Sequence, residues 1–367
     1  MKDKSGKKSI IAIGIFIVTI IVILLGGALI YNKFFFKKSF SEVETIMLEA
    51  AKEYFDKNEE KLPKNINDSI TVNVDTLVKN NEMDTIVSYT KNKDVTCTGS
   101  VKVTNINKDV YRYTPILECE DEYQTKIFID YINENINTVT VGDGLYNLND
   151  ELVYRGENVD NYLKLGGKIY RIVKFKDNKT VVILTDRFEN MAWDDRYNID
   201  TEDNAGINNY EVSRVREYLD KVYVDTSEEA LLTEKAKMLV TSYDLPIGKR
   251  NDKDTNKNGS LEISYYLPNQ YIGLLPVSDF LNASISKDCL NTVSDSCENY
   301  NYLNKYKYTW WTATANAENS YRVYSIKDIP KAVKASSSAY LRPVLYLASD
   351  AIYVSGDGTK ANPYIVK

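Results

Sequence analysis

Apolar positions fall along the chain in three patterns. Over residues 10–32 no side chain is charged and nearly all 23 positions are apolar. A helix rising about 1.5 Å per residue over that length covers a hydrocarbon core of about 30 Å, so the run predicts a membrane-crossing helix. It exceeds the apolar core of about 7–15 residues found in cleaved signal peptides, which predicts an uncleaved anchor. The next pattern is helical: Val43, Ile46, Met47, Ala50, Ala51, Tyr54 and Phe55 recur at one-face spacing, Ser41 and Glu44 have capping-box spacing, and Pro63 limits the helix. The stripe could serve a partner helix, but packing on the sheet that follows is the simpler use. Short β-like runs come third, at 70–74, 97–104 and 110–119, with Asn105, Asn107, Lys108 and Asp109 as turn material. An antiparallel pairing that sets Val103 against Tyr113 and Val101 against Pro115 also sets Cys97 against Cys119. That register predicts a disulfide clamping the hairpin.

Beyond this small module, residues 126–150 mix an apolar run with Asn137, Gly142, Asp143, Gly144 and Asn147, and read as a connection. Residues 168–175 and 180–185 predict a hairpin, 212–223 and 231–240 predict helices, and strands return at 321–326 and 341–347. Strands at both ends with helices between predict an α+β class.

Composition narrows the chemistry. The 367 residues include no His and four Cys. Without imidazole there is no Ser-His or Cys-His nucleophile pair and no His-ligated zinc, so the chain is not read as an enzyme. Residues 1–38 carry a balance of +6 and the remainder -12. An acidic body without a basic stripe argues against nucleic acid as a partner. Lysines flank the apolar run almost evenly, four before and three after, so charge does not orient it. All four cysteines lie beyond it in two close pairs, which favours an oxidising exterior for the body and a cytoplasmic tail over residues 1–9.

Two resemblances add expectations. The membrane helix, second helix and disulfide-bearing sheet resemble the architecture of type IV pilins and pseudopilins, although no Phe-Thr-Leu-Ile-Glu-like run after a glycine precedes the apolar stretch. Residues 166–173 (GGKIYRIV), 213–219 (SRVREYL), 272–278 (IGLLPVS), 310–314 (WWTAT) and 341–347 (LRPVLYL) resemble, in order, motifs of a bacterial surface domain family. That family has a C-type-lectin-like fold related to formylglycine-generating enzymes. Thr312 and Ala313 stand where the family has Leu-Arg, so no role of that arginine carries over.

Candidate sites are few. Tyr308, Trp310 and Trp311 could form an aromatic platform for a sugar ring, or fill a core. Asp254, Asn256, Asn258 and Glu262 have part of the spacing of a calcium loop, but Tyr265 takes the place of the closing bidentate Glu. Calcium is the one cofactor this pattern offers, and a solvated polar turn is the plainer reading. Cys289 and Cys297 predict a staple across a seven-residue loop. Asp194 and Asp195 are an adjacent acid pair of the kind glycosidic chemistry uses, and adjacent acids are more often solvated. Arg214, Arg216 and Arg342 are read as fold-holding cations.

The sequence therefore predicts a tail (1–9), a transmembrane helix (10–32), a pilin-like α+β module (39–125), a linker (126–150) and a C-type-lectin-like α+β domain (151–367). The expected protein is a single-pass bacterial surface protein that touches the membrane through residues 10–32 and binds a glycan or protein ligand. A pilin-like assembly subunit and a carboxylate-based cell-wall glycan enzyme are the alternatives.

Overall fold

A computed structural model describes residues 37–90, 93–149, 151–252, 254, 257, 262–305 and 308–367. The predicted membrane helix over 10–32 and the tail over 1–9 lie outside them. Among the described residues no helix is long and apolar enough to cross a membrane. The expected architecture, and the single-pass placement built on that helix, are corrected accordingly: the described fold is α+β with strands predominating. It divides into two compact units, one up to Asn105 with Tyr113–Thr125, the other Ile106–Arg112 with Lys126–Lys367.

The first unit places α1 (Phe40–Asp56) with a four-stranded sheet of β1 (Ser69–Asn73), β2 (Cys97–Asn107), β3 (Val110–Cys119) and β4 (Tyr123–Gln124), in that order. Short helices α2 (Val74–Lys79) and α3 (Ile86–Tyr89) lie between β1 and β2 in the chain. The helix stripe is buried at Val43, Met47, Ala50, Ala51, Tyr54 and Phe55. Gly99 in β2 makes this packing close, since a Cβ there would meet Met47 Cε at 2.8 Å. Cys97 and Cys119 are disulfide-bonded. The capping box, however, is Ser39 with Glu42, two residues ahead of the predicted pair: the Ser39 amide donates to Glu42 Oε2 at 2.7 Å. Glu44 is fully buried, accepting from the Tyr123 hydroxyl at 2.8 Å and from Thr125 Oγ1. Burying a carboxylate without such donors would be strongly unfavourable.

The second unit holds two large sheets. One contains β18 (Val344–Leu347), β9 (Lys179–Leu184), β8 (Lys168–Lys176), β7 (Tyr162–Leu165), β20 (Tyr364–Val366) and β19 (Tyr353–Ser355) in that order, with β6 (Glu151–Arg155) pairing β8 and β5 (Gly144–Leu148) pairing β6. The other runs β10 (Asn190–Ala192), β17 (Ser338–Tyr340), β14 (Trp310–Asn316), β15 (Arg322–Ile326) and β16 (Pro330–Lys334), with β12 (Lys249–Arg250) on β14. A small pair joins β11 (Tyr243–Pro246) and β13 (Tyr266–Gln270). Helices α4 (Phe128–Asn135), α5 (Arg214–Val224), α6 (Glu234–Lys237) and α7 (Val277–Ala283) complete it.

Local sequence explains several of these elements. Asp177 and Asn178 both take positive φ between Lys176 and Lys179, the geometry of a two-residue primed turn that matches strand twist. Ser213 caps α5 by accepting from the Arg216 amide at 3.1 Å. Residues 126–150, read as a linker, carry α4 and β5, and supply Phe128, Ile129, Ile132 and Leu145 to the core shared by both sheets.

Candidate functional site

The predicted aromatic platform is largely interior. Every residue of β14 is buried, because the strand is central in its sheet and covered on both faces. Trp310 is 1% exposed and Trp311 0%. Trp311 Nε1 donates to the Met191 carbonyl at 2.9 Å, and Trp310 packs edge-on to Phe280 with the Arg342 guanidinium 4.9 Å from its centroid. Only Tyr308 is half-buried, edge-on to Tyr340. An aromatic platform on this strand requires a sheet with one wet face, and this sheet has none at that strand.

The calcium-loop residues also separate. Asn256 and Asn258 lie outside the described residues. Glu262 is turned inward and fully buried, paired to Arg250 at 2.8 Å and accepting from Thr314 Oγ1 and the Ser278 amide. Burial pushes the Glu262 carboxyl up, while Arg250, Thr314 and Ser278 act against that. Its oxygens are thus committed to the protein. Asp254 is half-buried. Among the described residues no group of three or more His, Cys, Asp or Glu could hold a metal ion.

The Asp194–Asp195 pair divides as well. Asp194 is buried, holding Arg196 and the Ile207 amide, whereas Asp195 is exposed beside Arg214 at 3.5 Å. Arg342 is buried and donates to the Leu184 carbonyl at 3.1 Å; Arg214 and Arg216 sit on α5 and pair with Glu217 and Asp220. Cys289 and Cys297 are disulfide-bonded.

A different set of residues converges on a cleft of about 450 Å³ in the second unit. Alternation along β6 sends Glu151, Val153 and Arg155 to one face. On β8 a bulge between Ile172 and Lys174 resets the alternation, so that Ile172 and Val173 are both buried and Lys174 and Lys176 then share the cleft face. Val153 pairs directly with Lys174. The cleft is completed by Tyr346 from β18, by Ser278, Asp279 and Asn282 from α7, and by Tyr266, Ile263 and Lys257.

Its charges are unequally satisfied. Lys174 reaches Asp279 at 2.9 Å and Glu151 at 3.1 Å, and Lys176 reaches Glu151 at 3.4 Å. Burial opposes the Lys174 charge, but Asp279 and Glu151 hold its pKa above the ordinary lysine value. Arg155 donates from Nε to the Asn282 carbonyl at 2.8 Å and from Nη2 to the Ser284 carbonyl at 2.7 Å, at the C-terminal end of α7 where carbonyls lack helical partners. Gly156 fixes that arrangement: its φ of 113° suits glycine, and a Cβ would lie 2.2 Å from Asp143 Oδ1. Nη1 of Arg155 has no partner among the described residues. Neither has the Lys257 ammonium, which burial, with the Arg155 charge acting the same way, lowers to about 8. Among the described residues the cleft thus has four cations and two carboxylates in its lining.

Sequence reasoning singled out none of these residues for binding. The alternating charges at Glu151 and Arg155 and at Lys174 and Lys176 were a signal, but bringing them together needs the β6–β8 pairing and the bulge. Comparison with protein families, with curated proteins and with solved structures finds no match to this chain.

Proposed function

We propose that the protein is a recognition module that binds a glycan in the cleft formed by β6, β8 and α7. The carrying observation is the cleft itself: about 450 Å³, within the range of small-molecule sites, with Tyr266 38% exposed at its rim beside side chains able to read hydroxyls. Sugar rings stack apolar C–H faces on aromatic rings, while Ser278, Asn282, Glu151 and Asp279 offer donors and acceptors. The five-motif resemblance to C-type-lectin-like domains supports a binding role over residues 151–367. The two disulfides fit action in an oxidising compartment. The residues of the helix stripe Val43–Phe55 that an assembly subunit would present are mostly buried, which favours recognition over the filament reading.

The test is to probe the full chain against a set of neutral and acidic oligosaccharides. Binding to members of the set that Tyr266→Ala weakens about tenfold supports the reading, a loss of about 1.4 kcal/mol. Silence across the whole set, or binding that Tyr266→Ala leaves untouched, overturns it.

A further inference from the structure

We propose that the glycan carries a uronic acid, whose carboxylate is received between the Lys257 ammonium and the free Nη1 edge of Arg155. This rests on the glycan reading above and names the chemistry that the same cleft selects. Of the four cations lining the cleft, Lys174 and Lys176 are already matched by Asp279 and Glu151. Arg155 gives two of its donors to neutral carbonyls and lies 4.7 Å from the centroid of the Tyr146 ring, so among the described residues no carboxylate pairs with it. Lys257, whose backbone carbonyl is anchored by Arg250 at 3.1 Å, brings a second unbalanced charge to the same cleft.

Two like charges that line one cleft and are partly desolvated raise each other's energy, and an anion placed between them relieves both. A carboxylate suits the pair, because its two oxygens accept from an ammonium and a guanidinium edge together. A sugar ring suits the rest of the lining: Tyr266 and Ile263 present apolar surface, and Ser278 and Asn282 lie among groups that read hydroxyls. An acidic peptide would supply the carboxylate but would leave these hydroxyl readers unused.

Calorimetric titration of the full chain near neutral pH tests this with tetragalacturonic acid, its fully methyl-esterified form, and an oligoglutamate of equal charge. The free acid should bind at least about tenfold more tightly than the ester, since esterification removes the charge that strengthens hydrogen bonds from an ammonium and a guanidinium. Lys257→Gln should remove that preference, and Lys257→Arg should restore most of it. Equal affinity for acid and ester overturns the uronate assignment and leaves glycan recognition standing. Oligoglutamate binding as tightly as the tetramer overturns the sugar component. Failure of both galacturonate forms, when other oligosaccharides bind and Tyr266→Ala weakens them, overturns this proposal alone.

Discussion

Lys257 and Glu262 come from one polar stretch, yet they end in opposite electrostatic conditions. Glu262 is fully enclosed and meets a guanidinium, a hydroxyl and an amide, so its burial is matched donor by donor. Lys257 is less enclosed but meets no counter-charge among the described residues, and shares its cleft with Arg155. Burial alone does not distinguish a structural charge from a functional one. What distinguishes them is whether the fold itself supplies the partner: a matched charge holds the chain together, and an unmatched one beside a cleft is held in readiness for something else.

The matched side should break hardest. Arg250→Leu leaves the Glu262 carboxylate enclosed without its cation, and should cost about 3–5 kcal/mol. All three tryptophans, Trp193, Trp310 and Trp311, lie buried in the second unit, so denaturant unfolding followed by tryptophan fluorescence reports that unit alone. A midpoint unchanged from the parent chain would mean that the Glu262 pocket is wet, and that the contrast drawn with Lys257 is false. Thr314→Val is gentler: it removes one donor to Glu262 and the acceptor of the Val277 amide at 3.0 Å, with an expected loss of about 1–3 kcal/mol by the same measurement.

What the sequence made legible was local. The stripe from Val43 to Phe55 repeats on one helical face and is buried on it, and the Cys97–Cys119 and Cys289–Cys297 bonds join residues close in the chain or across a hairpin. Less legible was what depends on distant partners. Ser41 and Glu44 have the right spacing for a cap, but Glu44 finds Tyr123 and Thr125 some eighty residues on, and Ser39 and Glu42 close the helix end. Trp310 and Trp311 alternate as a half-exposed strand would, and only the strands around β14 show that both faces are covered. The cleft was hidden for the same reason: Lys174 meets Asp279 over a separation of 105 residues, and no local pattern foretells that.

On the unmatched side stability should hardly move. Lys257→Met removes a charge that the folded state holds at a disadvantage, so near neutral pH the tryptophan-monitored midpoint should stay within about 0.5 kcal/mol of the parent or rise. The linkage has a definite sign. With its folded pKa lowered to about 8 from an ordinary value of 10.5, Lys257 binds fewer protons folded than unfolded between those limits, so its contribution to stability increases as pH rises through that window. Lys257→Met should flatten that rise. A drop of more than about 1 kcal/mol in this variant would show that Lys257 has a structural partner after all, and would erase the distinction from Glu262.

The finest distinction is in the pH dependence of binding. The groups lining the cleft with Lys257 are Arg155, Lys174, Lys176, Glu151, Asp279, Tyr266 and Tyr346. Arg155 stays charged throughout, Lys174 is held above the ordinary lysine value, and burial raises the Tyr346 phenol further above neutrality. Lys257 is therefore the group expected to lose its proton between pH 7 and 9. Tetragalacturonate affinity should be level up to about pH 8 and then fall, approaching a tenfold loss per pH unit once the free protein is mostly deprotonated at this amine. A bound carboxylate stabilises the ammonium, so proton uptake on binding should appear above about pH 8 and vanish well below it. Lys257→Arg, which keeps its charge, should give a level profile over the same range. A parent profile as level as that of Lys257→Arg would leave the cleft no use for its uncommitted amine, and the contrast with Glu262 would reduce to a difference in burial.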